Sequence, residues 1–297
     1  MIEGPVAVSA PGKVLFAGGF LVLDRRHTGL VLGLDARIHV HVQEWKSTAL
    51  TPLSDKHKFV LVKSPQFQKA NWLYSVEHTT DGRALPIKQI ADDPSLTQTR
   101  NKFVETTLQY VLTYYMHSQP NAWLDGLSNC QITILADENY YSQTDTIGPL
   151  KNGFRDFGCS LSDANKTGLG SSAALVTSLT SALIAFYWGK NSRDLSKSNF
   201  HNLAQAAHCA AQGKVGSGFD VAAAVYGSCL YKRFSPSILE AVGEPDSKGF
   251  AERLRLCVDE LDADHKWDVE VSSRVDVPKS LQLVMCDVDC GSETPGM

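Results

Sequence analysis

The sequence predicts a mixed α/β (α+β) protein, and three observations carry that prediction. Residues 30–45 alternate apolar and polar side chains with the period of a half-buried strand. Residues 103–115 and 172–188 repeat apolar side chains at helical spacing instead. The length, 297 residues, suffices for one large α/β domain or two ordinary ones.

Taken in order, Val6 and Val8 alternate as a short strand, Ala10-Pro11-Gly12-Lys13 reads as a turn, and Val14, Leu15 and Phe16 resume an apolar run ending at Gly18 and Gly19. Two strands joined by a tight turn are expected. In the next strand Ile38, Val40 and Val42 share one face, while Arg37, His39, His41 and Gln43 share the other. The histidines are expected on a solvated or ligand-facing side, not on zinc. Residues 59–63 and the alternating Trp72 and Tyr74 form a strand pair. Residues 79–99, rich in Asp, Pro, Thr and Gln without periodicity, read as a surface loop. A helix follows on Phe103, Val104, Leu108, Val111, Leu112 and Tyr115, then a strand at Ile132 and Ile134. Residues 137–164 are a long polar connection of the kind that serves as a lid or binding loop.

A helix from about Ser172 to Trp188 stops at Gly189, and a second from Ser198 to Gln212 is alanine-rich, which favours close helix packing. A glycine-rich turn, Gly213 to Gly218, delivers Phe219 and Asp220 into the alanine-rich segment 221–226. Residues 281–288 read as a strand, and Thr294 with Pro295 as the opening of a helix.

Composition narrows the function. With 43% hydrophobic and 20% charged residues and a net charge of −4, the chain reads as an ordinary soluble globular protein without general attraction for nucleic acid or acidic membranes. Small molecules are the expected partners; oligomeric state is left open. Seven scattered cysteines suggest free thiols in a reducing compartment, and Cys286 with Cys290 is a poor metal signal. No signal pattern, no long uncharged apolar run and no membrane span are expected.

The segment Lys166 to Ala174, KTGLGSSAA, carries the chemistry. Gly168 and Gly170 let backbone N–H groups turn to a ligand, and the helix behind them aims its positive end at the same point. Lys166 adds a full charge, and the hydroxyl of Ser171 or Ser172 suits Mg²⁺. A glycine turn capped by Ser171 is the plain alternative. The segment is not a Walker A loop, since Lys166 precedes the glycines; a dinucleotide fingerprint lacks its apolar strand, and no protein-kinase catalytic loop is present. Spacing alone leaves Lys13 as an exposed turn lysine and Asp220 as either a helix-dipole partner or a site carboxylate.

Together PGKVLFAGG (Pro11 to Gly19), KTGLGSSAA and GKVGSGFDVAAAVYG (Gly213 to Gly227) resemble the signature segments of the GHMP small-molecule kinases. AGGFLVLD, SPQF with WLY, NLAQAAHCAAQGKVGSGFD and GSET are similar to the fungal and plant branch that phosphorylates phosphomevalonate. The family's Glu after the position of Gly18 is Gly19 here, a departure that this branch shares. The resemblance implies the two-domain family architecture: residues 1–232 as an N-terminal domain like ribosomal protein S5 domain 2, and 233–297 as the beginning of a C-terminal α+β domain, incomplete. It implies ATP with Mg²⁺ as cofactors and ATP-dependent phosphorylation of phosphomevalonate in the cytoplasm, with the peroxisome as alternative. It assigns ATP binding to Lys166, Thr167, Gly168, Leu169, Gly170, Ser171, Ser172 and Ala173, the metal to Ser172, catalysis to Lys13 and Asp220, and substrate contacts to Lys13, Lys214, Ser217 and Ser292. A mevalonate-kinase-like enzyme and a non-catalytic ligand sensor are the alternatives. The family's third glycine-rich motif is not found in these 297 residues, so the chain taken alone is expected to bind ligands poorly, to show little or no kinase activity and to expose apolar surface.

Overall fold

The computed structural model describes residues 4–46, 57–91, 94–97, 99–119, 127–142, 150–151, 153–261 and 266–273, together with 275, 277–278, 280 and 282–285. Strand β1 (Val6–Ala17) is a single 12-residue strand, not the expected pair with a turn at Pro11. It runs antiparallel to β2 (Gly29–Glu44) and slips register between Pro11 and Lys13, which absorbs Gly12 as a bulge. Among the described residues β1 pairs with β2 alone, and an edge strand is where proline is tolerated.

The alternation of β2 has its expected consequence: Ile38, Val40 and Val42 are buried, and Arg37, His39 and His41 are half-buried on the other face. Strand β3 (His57–Lys63) pairs antiparallel with β4 (Asn71–Glu77), as the sequence suggests. β4 in turn pairs with β5 (Ile87–Ile90), which lies inside the stretch 79–99 expected as a surface loop. That expectation fails because a four-residue strand carrying Lys88 and Gln89 shows no pattern, yet Ala84, Leu85, Ile87 and Leu96 are buried. β6 (Cys130–Ala136) is antiparallel to β2 and parallel to β3. In the connection after it lie a single 3₁₀ turn, Glu138–Tyr140, a bridge from Tyr141 to Lys166, and the small hairpin β7 (Leu150–Lys151) and β8 (Phe154–Arg155). β9 (Cys229–Lys232) pairs with the start of β2, and β10 (Glu270–Ser272) with β9, completing the order β10-β9-β2-β6-β3-β4-β5.

Six helices accompany this sheet among the described residues: α1 (Lys102–Ser118), α2 (Ser171–Trp188), α3 (Lys197–Gln212), α4 (Phe219–Tyr226), the short α5 (Ser237–Glu240) and α6 (Phe250–Asp259). Helix α2 packs on β1 and β2 and is flanked by α1, α3 and α4. The expected absence of a long uncharged apolar run is wrong for this helix. Its 18 residues carry no charge and are long and apolar enough to cross a membrane, but 72% of the helix is buried in the protein, as befits a central core helix. Its flanks start from good caps. Asn101 accepts from the Val104 N–H at the head of α1, and Ser196 and Asn199 form a reciprocal capping box at the head of α3, each worth about 1 kcal/mol.

Phe234, Ile238, Phe250, Leu254 and Trp267 join the same core as α1, α2 and α3. The same core thus takes residues from both sides of position 232. A smaller cluster of Phe59, Leu73 and Leu96 packs separately. Residues 282–285, part of the strand expected at 281–288, lie in no strand. Residues 281 and 286–297 are outside the described residues, and with them Cys286, Cys290, Ser292 and the helix opening at Thr294.

Candidate active site

Strand β1 carries Lys13 to the head of α2. The bulge at Gly12 turns the Lys13 N–H outward, where it donates to the Leu169 carbonyl at 2.9 Å. Gly12 has to be glycine here, because a Cβ would lie 2.8 Å from the Tyr140 hydroxyl and 2.9 Å from the Leu169 oxygen. The Lys13 ammonium donates to the Gly168 carbonyl at 3.1 Å and lies 5.7 Å from the centre of the Phe219 ring. Burial pushes its pKa down from the ordinary lysine value, and the charge of Asp220 opposes that shift.

The glycine loop ends on Gly170, the N-cap of α2, at φ +78°. No side chain caps this helix, so Ser171 is its first residue and not its cap. The first-turn N–H groups of Ser171, Ser172 and Ala173 have no partner within the helix and remain for a ligand. A side chain at Gly170 would be blocked twice over: by its left-handed backbone, and by Lys13 Cε at 2.8 Å from the added Cβ. Thr167 anchors the loop from outside, its hydroxyl donating to the Asn139 carbonyl at 2.7 Å and its N–H to that of Tyr140 at 3.1 Å. Lys166 is exposed and, with Ser172, lines a cavity walled by Phe67, Trp72, Phe103 and Tyr141.

Asp220 stands in the first turn of α4 behind Gly218, itself at φ +82°. One carboxylate oxygen accepts from the Val221 N–H at 3.0 Å, and the side chain keeps 20% of its surface exposed. Ser217 holds this corner through its carbonyl, which accepts from the Tyr231 hydroxyl at 2.6 Å. Lys214 faces elsewhere, into a cavity shared with Thr106, Gln109, Glu240 and Glu244. The fold thus brings Lys13, Gly168 to Ala173 and Asp220 together, whereas Lys214 points to a different cavity.

Two residues at the site escape sequence reasoning. His208 of α3 is buried, with Nε2 3.1 Å from the Ser172 hydroxyl and 3.9 Å from Asp220, and burial pushes its pKa down. Arg233 donates to the carbonyls of Val215, Gly216 and Leu23, tying the second glycine turn to the segment after β1. A histidine on an otherwise alanine-rich helix face is the one signal that hints at the first; nothing in the sequence hints at the second.

A family model described as the GHMP kinases N terminal domain matches residues 160–228. The chain is 48% identical to the phosphomevalonate kinase erg8 of Aspergillus fumigatus over 98% of its own length and 64% of that relative's. It is likewise 48% identical to the phosphomevalonate kinase ERG8 of Gibberella zeae, over 98% of this chain and 65% of the relative, so it spans just under two thirds of each. Among solved structures it resembles Streptococcus pneumoniae phosphomevalonate kinase in complex with phosphomevalonate and AMPPNP, with a TM-score of 0.53 at 16% identity, covering 90% of this chain and 58% of that one. At that identity the likeness concerns the fold.

Proposed function

We propose that this chain, whose residues 160–228 match the GHMP kinases N terminal domain, is a GHMP kinase that transfers the γ-phosphoryl group of ATP to (R)-5-phosphomevalonate, yielding 5-diphosphomevalonate and ADP in isoprenoid and sterol synthesis. One observation carries the reading. Three segments far apart in sequence meet around Lys13, whose ammonium bonds the Gly168 carbonyl and feels the charge of Asp220.

In this reading the nucleotide phosphates sit on the N–H groups of Gly168 to Ala173. Ser172 offers the hydroxyl oxygen that a hard cation takes, and the Asp220 carboxylate stands on the other side of His208, whose Nε2 lies 3.1 Å from the first and 3.9 Å from the second, so an oxygen donor set of the kind Mg²⁺ takes is at hand. Bound there, the ion would neutralise charge on the nucleotide oxygens.

The acceptor decides how Lys13 and Asp220 share the work. A phosphomonoester has its second pKa near about 6, so the attacking oxygen is already largely ionised at neutral pH and needs no strong base. The larger obstacle is bringing two anions together, which costs about 4 kcal/mol per pair of unit charges at 4 Å in a surface-like dielectric. Lys13 offsets that repulsion, and Asp220 favours the charged form of the lysine. As the acceptor oxygen bonds to the γ-phosphorus, the bond to the β–γ bridging oxygen breaks and ADP leaves.

The test is ADP release by the protein with phosphomevalonate, mevalonate and galactose in parallel. Release driven by phosphomevalonate supports the proposal. Release driven by mevalonate or galactose instead would assign the site to a hydroxyl-phosphorylating relative, and nucleotide binding without any release to a sensor.

A further inference from the structure

His208 belongs to no signature segment that assigns it a role, yet it has the most specific surroundings of any side chain near the loop. It projects from α3 towards the first turn of α2, with Nε2 3.1 Å from Ser172 Oγ and 3.9 Å from Asp220 Oδ2. Phe103 stacks on the ring at 5.8 Å between centroids, and the Gln212 amide nitrogen lies 3.5 Å from the same Nε2. The residue is 1% exposed, so water does not compete for that nitrogen. Its ring plane is therefore fixed by packing and its one inward-facing atom is committed to Ser172.

A serine hydroxyl rotates freely and offers one proton and two lone pairs. Turned the wrong way, it would bond back to its own helix, and its lone pairs would be lost to a ligand. An imidazole nitrogen at 3.1 Å that accepts the serine proton leaves both lone pairs free to face the loop. The Gln212 amide, donating to the same Nε2, favours this accepting tautomer.

We propose that His208 is a positioning residue for cation-dependent nucleotide binding, holding the Ser172 hydroxyl with its lone pairs towards the phosphate loop and away from Asp220. The inference rests on the kinase reading above and deepens it. It places an imidazole between a hydroxyl-bearing helix and a carboxylate-bearing one: α2 supplies the oxygen, α4 the charge, and α3 the ring between them.

The experiment is calorimetric titration of the protein with AMPPNP, with Mg²⁺ and again with EDTA, for wild type, His208→Phe and His208→Gln. Phenylalanine keeps a ring against Phe103 but has no nitrogen; glutamine restores a polar atom at about the same reach. The expected result for His208→Phe is a roughly tenfold loss of affinity with Mg²⁺, near-unchanged affinity in EDTA, and an unfolding midpoint close to wild type, with most of the loss recovered in His208→Gln. Equal losses with and without Mg²⁺, or no loss at all, would overturn the proposal, since packing alone would then explain the residue. Should His208→Phe fail to fold, the pair Ser172→Ala and Ser172→Ala/His208→Ala decides. Matching Mg²⁺-dependent affinities mean that the histidine acts through the serine, and a further drop in the double variant overturns it. With AMPPNP carried to millimolar concentration so that weak binding still registers, wild-type protein that binds under neither condition would overturn the kinase reading itself, an outcome distinct from wild-type-like binding by His208→Phe.

Discussion

Lys13 Nζ donates to the Gly168 carbonyl at 3.1 Å, which joins two segments 155 residues apart at the head of α2. The bond accounts for a lysine that sequence spacing leaves as an exposed turn residue. It also fixes the ammonium where two anionic substrates would meet. Lys13→Met is therefore expected to lower kcat with phosphomevalonate on the order of 100-fold, and by more than Asp220→Asn, because an ionised acceptor has little need of a base. Steady-state kinetics of the two variants check this. The reverse order would give Asp220 a base or metal role larger than the one argued for it.

Gly170 makes a prediction that separates backbone from charge. Its φ of +78° and the 2.8 Å approach of Lys13 Cε to an added Cβ mean that Gly170→Ala strains the loop and displaces the lysine together. A cost of about 1–2 kcal/mol in stability is expected from the left-handed backbone, accompanied by a loss of nucleotide binding of at least tenfold. Thermal unfolding and nucleotide titration of the same preparation measure both. Wild-type nucleotide affinity in this variant would mean that the loop can rearrange around a side chain.

His201 supplies the pH dependence. It is fully buried between Tyr226 and Trp267, and burial pushes its pKa down to about 4 from 6.5. Because the folded value lies below the unfolded one, the unfolded chain binds the proton more readily between these two pH values. Stability is then independent of this group above about pH 6.5 and falls as the pH drops towards 4, by a total on the order of 3 kcal/mol. Replacing the residue, as in His201→Leu, removes the group from the titration. The unfolding midpoint of the variant is expected to fall less steeply than wild type from pH 6.5 to 4.5, and parallel curves would contradict the assignment.

What the sequence conveys about the fold follows from burial on one side. β2 is legible because Ile38, Val40 and Val42 face the core and their neighbours do not; α1 and α2 are legible because each presents apolar residues at helical spacing over four turns or more. β1 is misread at Pro11-Gly12, since a dipeptide that ordinarily turns a chain is here absorbed as a bulge on an edge strand. β5 is too short to show a period. The site divides in the same way. Gly168, Gly170, Ser172, Lys13 and Asp220 stand in recognisable segments, whereas the contact of His208 with Ser172 depends on how α3 lies against α2, and the grip of Arg233 on Val215 and Gly216 depends on where β9 ends. Neither relation is written in local spacing.

The central claim is that this site joins two anions, using Lys13 to make the second one welcome. Its most direct measurement is kcat/KM for phosphomevalonate and for mevalonate, in wild type and in Lys13→Met. The expected result is a preference for phosphomevalonate of at least about 100-fold in wild type, equivalent to roughly 3 kcal/mol, that shrinks in Lys13→Met because the charged acceptor loses its counter-ion. A wild-type preference for mevalonate, or an equal fall for both acceptors in Lys13→Met, would contradict it.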